Sequence, residues 1–107
     1  MLPPRIRDQV GLEAALAASD FLLFKHSTRC PVSAAAFREY ELWFAAHPKA
    51  ATGWIDVIKD RSLARLVAER TGLQHESPQA LQLENGRVAW NASHQAITRA
   101  SLERARG

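Results

Sequence analysis

The part of the chain best suited to chemistry is residues 21–37, FLLFKHSTRCPVSAAAF, which contains the only cysteine. Four apolar residues lead into a polar segment, and Cys30 then stands directly before Pro31. Pro31 opens an alanine-rich run that is typical of a helix. Cys30 is therefore either an inert, buried side chain at a turn or a thiol that a strand delivers to the start of a helix.

The residues around Cys30 favour the second interpretation. The start of a helix has unpaired backbone N–H groups and the positive end of the helix dipole, and both favour a thiolate. Pro31 suits the first helical position because its missing N–H would be unpaired there. Thr28 and Arg29 complete the turn, and Arg29 places a cation beside the sulfur. Because the thiolate is the reactive form of cysteine, we predict that Cys30 is a nucleophile.

Ser33 occupies the position, three residues after Cys30, at which dithiol oxidoreductases have their second cysteine. A chain with one cysteine cannot form an internal disulfide, so a resolving thiol must come from another molecule. Two roles for Ser33 are open at this point. Its hydroxyl donates a hydrogen bond to the sulfur, or it is a polar residue tolerated in the first helical turn.

The chain has four histidines, but their spacing does not indicate a metal site. They are His26, His47, His75 and His94. No pair has the i, i+3 or i, i+4 spacing of helical ligands, and no Cys-x-x-Cys pair is present, so we expect no bound metal. His26 and His75 approach Cys30 if their turns share one edge of the sheet. There, either a role in proton transfer or a structural role is open to them.

The elements that must position these residues alternate between helix and strand. Apolar periodicity predicts a helix over residues 8–18, a strand at 21–24 that is buried on both faces, a helix over 31–46, a strand at 54–58, and a helix between Asp60, as its N-cap, and Gly72. Asn85-Gly86 suits a two-residue turn between strands at 79–84 and 87–91. Ser93 is the expected cap of a last helix. Asp56 is an acid in an apolar strand and needs a partner or a raised pKa.

This order, α-β-α-β-α-β-β-α, predicts an α/β fold with a four-stranded mixed sheet flanked by helices and strand 21–24 in its interior. Composition agrees, since 47% hydrophobic and 23% charged residues are ordinary for a globular domain. With 107 residues, the chain is predicted to form a single domain over residues 1–107.

The charge and the termini limit the partners we expect. The net charge of +3 is small and scattered, and the basic residues Arg99, Arg104 and Arg106 are more typical of a solvated helix face than of a nucleic-acid site. No signal peptide or membrane-spanning run is present. We therefore expect a cytoplasmic protein that binds neither nucleic acid nor membrane. It has no heptad seam and is predicted to be a monomer when reduced.

Several short segments, spread over nearly the whole chain, resemble the monothiol bacilliredoxins, which are thioredoxin-like proteins of the bacillithiol system. The matching segments are 24–28, 30–33, 56–58 with Arg61, 75–79, and 93–94 with 97–98. Members of that family often have Thr in place of Arg29 and Ile in place of Val32, and neither difference removes the thiol. The resemblance implies a thioredoxin-like fold.

It also implies a monothiol disulfide oxidoreductase that removes bacillithiol from S-bacillithiolated client proteins. Cys30 would attack the mixed disulfide, take bacillithiol onto itself and release the client thiol. Bacillithiol or another external reducing thiol would then clear Cys30, so bacillithiol is a co-substrate and no bound cofactor is expected. The resemblance further implies a substrate clamp at His75, Ser77 and Pro78, with a cis Ser77-Pro78 bond facing Cys30.

A lone thiol is also found in proteins with other functions. A peroxiredoxin-type thiol peroxidase requires Thr three residues before the cysteine, where this chain has Ser27. A monothiol iron–sulfur carrier is disfavoured because Pro31 stiffens the turn after the ligand. A non-enzymatic, redox-responsive binding or sensor protein modified at Cys30 stays open. Catalytic turnover of a bacillithiolated client separates the proposed enzyme from all of these.

Overall fold

The structure, a computed structural model, describes residues 2–105 and contains one four-stranded sheet with helices on both faces. The elements are α1 (Gln9–Ala17), β1 (Phe21–His26), α2 (Pro31–Ala46), β2 (Thr52–Asp56), α3 (Arg61–Thr71), β3 (Gln79–Glu84), β4 (Arg87–Ser93), a 3₁₀ helix (His94–Ala96) and α4 (Arg99–Ala105). The predicted order of helices and strands is confirmed. Arg106, in the predicted basic cluster, lies outside the described residues.

The strand order is β2-β1-β3-β4, with β1 parallel to β2 and antiparallel to β3. Strand β1 is therefore interior, as predicted from its apolar run. Alternate residues of β1 enter two separate cores, because successive side chains of a strand point to opposite faces. Leu23 packs in one core, and Leu22 and Phe24 pack in the other.

The two cores join different helices to the sheet. The first contains residues of α1 and α3, including Leu12 and Val67. The second contains the aromatic residues of α2 together with Leu102 of α4. Within α2, Tyr40 and Phe44 are buried and Phe37 packs at the edge of this core. Helix α2 connects the parallel strands β1 and β2. The site described below lies where the turn after β1 leads into the start of α2.

The hairpin between β3 and β4 has the predicted turn. Asn85 and Gly86 have φ values of 53° and 80°, the left-handed region that such a two-residue turn requires. A Cβ on Gly86 would also lie 2.9 Å from the carbonyl oxygen of Leu16, so this glycine is needed for space as well as for its backbone angle.

Three predicted details of the elements were wrong. Strand β2 runs over Thr52–Asp56 rather than 54–58, because residues from Thr52 onward pair with β1. Ser93 is the last residue of β4, paired with Gln79, and does not cap a helix with its side chain. The last helix starts later, and the side chains of Thr98 and Ser101 accept hydrogen bonds from each other's backbone N–H groups at its start.

Asp60 precedes α3 as predicted, but its carboxylate makes no capping hydrogen bond. It accepts a hydrogen bond from Arg5 at 3.1 Å instead, which joins the N-terminal segment to the start of α3. Within residues 2–105, no helix is both long and apolar enough to cross a bilayer.

Lys25 is fully buried in the middle of this fold, beside the site. Its Nζ donates to Oε1 of Gln79 at 2.9 Å, across the β1–β3 pair. Burial lowers the pKa of Lys25 to about 8, opposed by the negative charge of Glu76. The pKa of lysine in an unfolded chain is about 10.4. Because the pKa is lower in the folded chain, Lys25 destabilises the fold most when it is charged.

We predict that Lys25→Met removes a pH dependence of stability. Between about pH 8 and pH 10 the unfolded chain binds the lysine proton and the folded chain does not, so the parent gains stability as pH rises. The gain is at most about 1.4 kcal/mol per pH unit. Urea unfolding at several pH values measures it. A difference between parent and variant that stays constant from pH 7 to pH 10 would contradict the prediction. Tyr40, whose pKa burial raises, contributes equally to both proteins.

Candidate active site around Cys30

Cys30 lies at the N-cap of α2, and Pro31 is the first helical residue, as the sequence predicts. The backbone N–H of Cys30 donates to the carbonyl of Ser27 at 3.2 Å, and its carbonyl accepts from the N–H of Ala34 at 3.0 Å. Both bonds fix the backbone of the turn. The thiol is partly exposed, is not in a disulfide and makes no capping hydrogen bond. The positive end of the α2 dipole therefore acts on a thiol that is open to a substrate.

Ser33 is fully buried and ties the start of α2 to the end of β1. Its Oγ accepts a hydrogen bond from the backbone N–H of Ser27 at 2.8 Å and pairs with Nδ1 of His26, also at 2.8 Å. No hydrogen bond joins Ser33 to the sulfur of Cys30 in the part of the chain that the structure describes. The role as donor to the sulfur is therefore not the one observed, and Ser33 positions the turn that carries Cys30.

His26 is held in an aromatic cage. Its ring stacks on Phe37, with 4.3 Å between centroids and 16° between planes, and meets the edge of Trp54 at 5.5 Å. Burial lowers the pKa of His26, and the charge of Asp56 opposes that effect. The imidazole is therefore mainly neutral at pH 7. Within residues 2–105 it makes no hydrogen bond to Cys30 and pairs with Ser33, which supports a positioning role.

Asp56 ends β2 next to this turn and has the partners that an acid in an apolar strand needs. Its Oδ1 accepts from the backbone N–H groups of Ile58 and Lys59, both at 3.0 Å. Its other oxygen lies 3.9 Å from the guanidinium of Arg5. Asp56 thus shapes the turn at residues 57–59, which lies opposite Cys30.

Cys30 opens into a cavity of about 510 Å³, which we call the thiol cavity. Its lining residues are Ser27, Cys30, Val57, Ile58, Arg61, His75 and Ser77. The cavity brings together Cys30, His75 and Ser77, three of the predicted site residues. The predicted cis bond at Ser77-Pro78 is confirmed.

The remaining predicted site residues lie around the cavity without lining it. Thr28 and Arg29 are exposed on the turn before Cys30, and Pro31 is exposed on its other side. Pro78 is buried, and its carbonyl accepts from the N–H of His94 at 3.1 Å.

Sequence reasoning missed Val57, Ile58 and Arg61 as parts of the site. Their signal in the sequence is positional, since they follow β2, whose carboxyl end lies beside that of the parallel strand β1. Among residues 2–105, His, Cys, Asp and Glu side chains form no group of three that could hold a metal.

Comparisons with known proteins agree with this geometry. Residues 5–102 match the family model described as monothiol bacilliredoxin BrxC. A solved protein described as a candidate oxidoreductase with a thioredoxin fold is 27% identical, with a TM-score of 0.91 over 99% of this chain and 95% of that one.

More distant structures show the same fold. Reduced desulfothioredoxin from Desulfovibrio vulgaris Hildenborough is 19% identical, with a TM-score of 0.70 over 97% of this chain and 94% of that one. Oxidised thioredoxin from Plasmodium falciparum is 13% identical, with a TM-score of 0.72 over 95% and 92%. The predicted thioredoxin-like fold is thereby confirmed. With its helix-start thiol and the match over residues 5–102, the chain belongs to the monothiol bacilliredoxin family and has that family's thiol redox function.

Proposed function

We propose that this protein removes bacillithiol from S-bacillithiolated client proteins, with Cys30 as the only covalent catalyst. The observation that supports it most is the placement of one partly exposed thiol at a helix start and in a cavity, with a buried serine at the position of a second thiol. A thiol so placed is suited to attack a disulfide and has no internal partner to complete a second exchange.

The reaction has two exchanges. The Cys30 thiolate attacks the bacillithiol sulfur of the mixed disulfide, so that a new sulfur–sulfur bond forms and the client sulfur leaves as a thiolate. A second small thiolate, bacillithiol or another external reducing thiol, then attacks the same bacillithiol sulfur on Cys30. The Cys30 thiolate leaves and a disulfide of two small thiols is released. Each exchange conserves charge and electrons, because one thiolate is consumed and another is released.

Three further residues support the first exchange. Ser77 and His75 line the thiol cavity with Cys30, which suits them to contact the bound disulfide. Burial, and the nearby charge of Lys25, lower the pKa of His75, so it is mainly neutral at pH 7. A neutral imidazole can donate a hydrogen bond to a substrate or accept one from it. Arg29 is exposed on the turn directly before Cys30, where its charge is open to a bound substrate.

The second candidate is a redox-responsive binding protein, in which an adduct on Cys30 changes contacts with a partner and no turnover occurs. The exposure of Thr28, Arg29 and Pro31 around the thiol favours it, since a partner reaches all three. Turnover decides between the two. An enzyme at one-tenth of the client concentration releases all of the client thiol when external thiol is present. A sensor releases at most one client thiol per protein molecule. We place the reaction in the cytoplasm, where a free thiol stays reduced.

We predict that Cys30→Ala abolishes release of the client thiol and that Ser33→Ala keeps it. The Ser33 variant loses the hydroxyl that satisfies Ser27 N–H and His26, so its free energy of unfolding falls by about 1–3 kcal/mol while its thiol remains. Thiol release from a bacillithiolated client, followed by mass spectrometry of the Cys30 adduct, measures both. Undiminished release by Cys30→Ala would refute the mechanism. Complete loss in a folded Ser33→Ala would show that Ser33 takes part in the exchange.

We also predict that the reduced protein is a monomer and that oxidation in air produces a disulfide-linked dimer through Cys30. The thiol is partly exposed, so two copies can meet at it. Size-exclusion chromatography with and without reductant, on the parent and on Cys30→Ser, tests this. A dimer that persists in reductant and in Cys30→Ser would contradict the prediction.

A further inference from the structure

A second cavity continues from the thiol cavity along α3. It has a volume of about 250 Å³ and is lined by Val57, Arg61, Ala64, Arg65, Ala68 and His75. Three of its residues, Val57, Arg61 and His75, also line the thiol cavity. The two cavities therefore form one groove that runs from Cys30 onto the surface of α3. We call its α3 part the arginine groove.

The charges in the arginine groove are of one sign. Arg61 and Arg65 are one helical turn apart, so their side chains lie on the same face of α3. Both are exposed, and within residues 2–105 neither has an ion pair or a hydrogen-bond partner. No carboxylate lines either cavity.

The nearby acids are engaged elsewhere. Asp56 and Asp60 face Arg5 on the other side of the turn, and Glu76 lies 3.8 Å from the ring of His94. The arginine groove therefore contains two guanidinium groups that form no ion pair within residues 2–105. Surface guanidinium groups in such a position bind carboxylates well, because their planar donors match the two oxygens.

Besides the two arginines, the hydroxyl of Ser77 in the thiol cavity also lacks a partner within the described residues. The Oγ of Ser77 is buried and has no hydrogen-bond partner among residues 2–105, although Ser77 lines the cavity together with Cys30 and Arg61. A buried hydroxyl without a partner costs free energy, and a ligand that supplies a donor or an acceptor there recovers it. Ser77 and the two arginines thus point to a polar, anionic ligand that reaches from the thiol to α3.

We propose that the arginine groove binds the carboxylates of the small-thiol half of the mixed disulfide. This inference rests on the function proposed above and specifies its substrate class as a thiol with carboxylate groups, such as the malyl carboxylates of bacillithiol. Arg61 holds the carboxylate nearer to Cys30, and Arg65 adds charge one turn further along α3. Binding in this direction presents the small-thiol sulfur to Cys30, so the client sulfur is the leaving group.

The proposal is tested with one client peptide in two forms, carrying either bacillithiol or cysteamine, a small thiol without a carboxylate. We expect Arg61→Gln to slow the formation of the Cys30 adduct about 10-fold with the bacillithiol form and less than about 2-fold with the cysteamine form. Arg65→Gln follows the same pattern with a smaller loss. The matched control is Arg70→Gln, which removes the same charge from α3 about 14 Å further along the helix. It leaves both rates within about 2-fold of the parent.

Several outcomes would overturn this assignment. An equal loss on both forms would mean that Arg61 acts on Cys30 or on the fold, and an equal loss in Arg70→Gln would mean that only the overall charge matters. The same assay is run with an acidic and a neutral client peptide. An Arg61→Gln defect that follows the peptide charge, rather than the small thiol, would assign the groove to the client.

A binding measurement separates this proposal from the function it rests on. Cys30→Ser is titrated with the disulfide form of bacillithiol while the NMR signals of Arg61, Arg65 and His75 are followed. If the parent forms a Cys30 adduct from neither form of the client peptide, the proposed function fails. NMR shifts at these residues that disappear in Arg61→Gln would still establish the groove. Absence of shifts at millimolar ligand would refute the groove even where transfer by the parent is normal.

Discussion

The hydroxyl of Ser33 is the interaction on which the geometry of the active site depends. It accepts from the N–H of Ser27 and pairs with His26, so one buried oxygen joins the last residue of β1, the turn that follows and the first turn of α2. The turn from Ser27 to Cys30 is short and mostly exposed. Without this oxygen, only the bond from Cys30 N–H to the carbonyl of Ser27 would join its two ends.

The packing of His26 shows why this position needs a hydroxyl rather than a thiol. The ring is stacked on Phe37 and meets the edge of Trp54, and in this orientation its Nδ1 finds a partner in Ser33. Ser33 already accepts from Ser27, and its own hydrogen needs an acceptor in this buried place. Donation from Ser33 to a neutral Nδ1 satisfies both the hydroxyl and that ring nitrogen. A cysteine, with a longer bond and a weaker hydrogen bond, would fill the position less well.

The sequence predicted the features that local patterns determine. The apolar run of β1, the turn at Asn85-Gly86 and the proline after Cys30 each carry their own physical signal, and each prediction is confirmed. The bounds of β2 and β4 were wrong because pairing with β1 and β3 decides where those strands end. His26, the side-chain partner of Ser33, lies seven residues earlier in the chain, at the end of β1. Their contact depends on the angle between β1 and α2, which no periodicity in the sequence predicts.

In the proposed reaction, the arginine groove and the single thiol together constrain the order of exchange. Attack on a disulfide proceeds along the line of its sulfur atoms, so the client sulfur leaves opposite Cys30 and the second small thiol must arrive from that same direction. In the reaction proposed above, the carboxylates of the first small thiol are bound along α3, in the arginine groove. The first small thiol therefore need not leave its place before the second arrives. That reaction uses one position for the anion and one open approach to the sulfur, and Ser33, which is fully buried, obstructs neither.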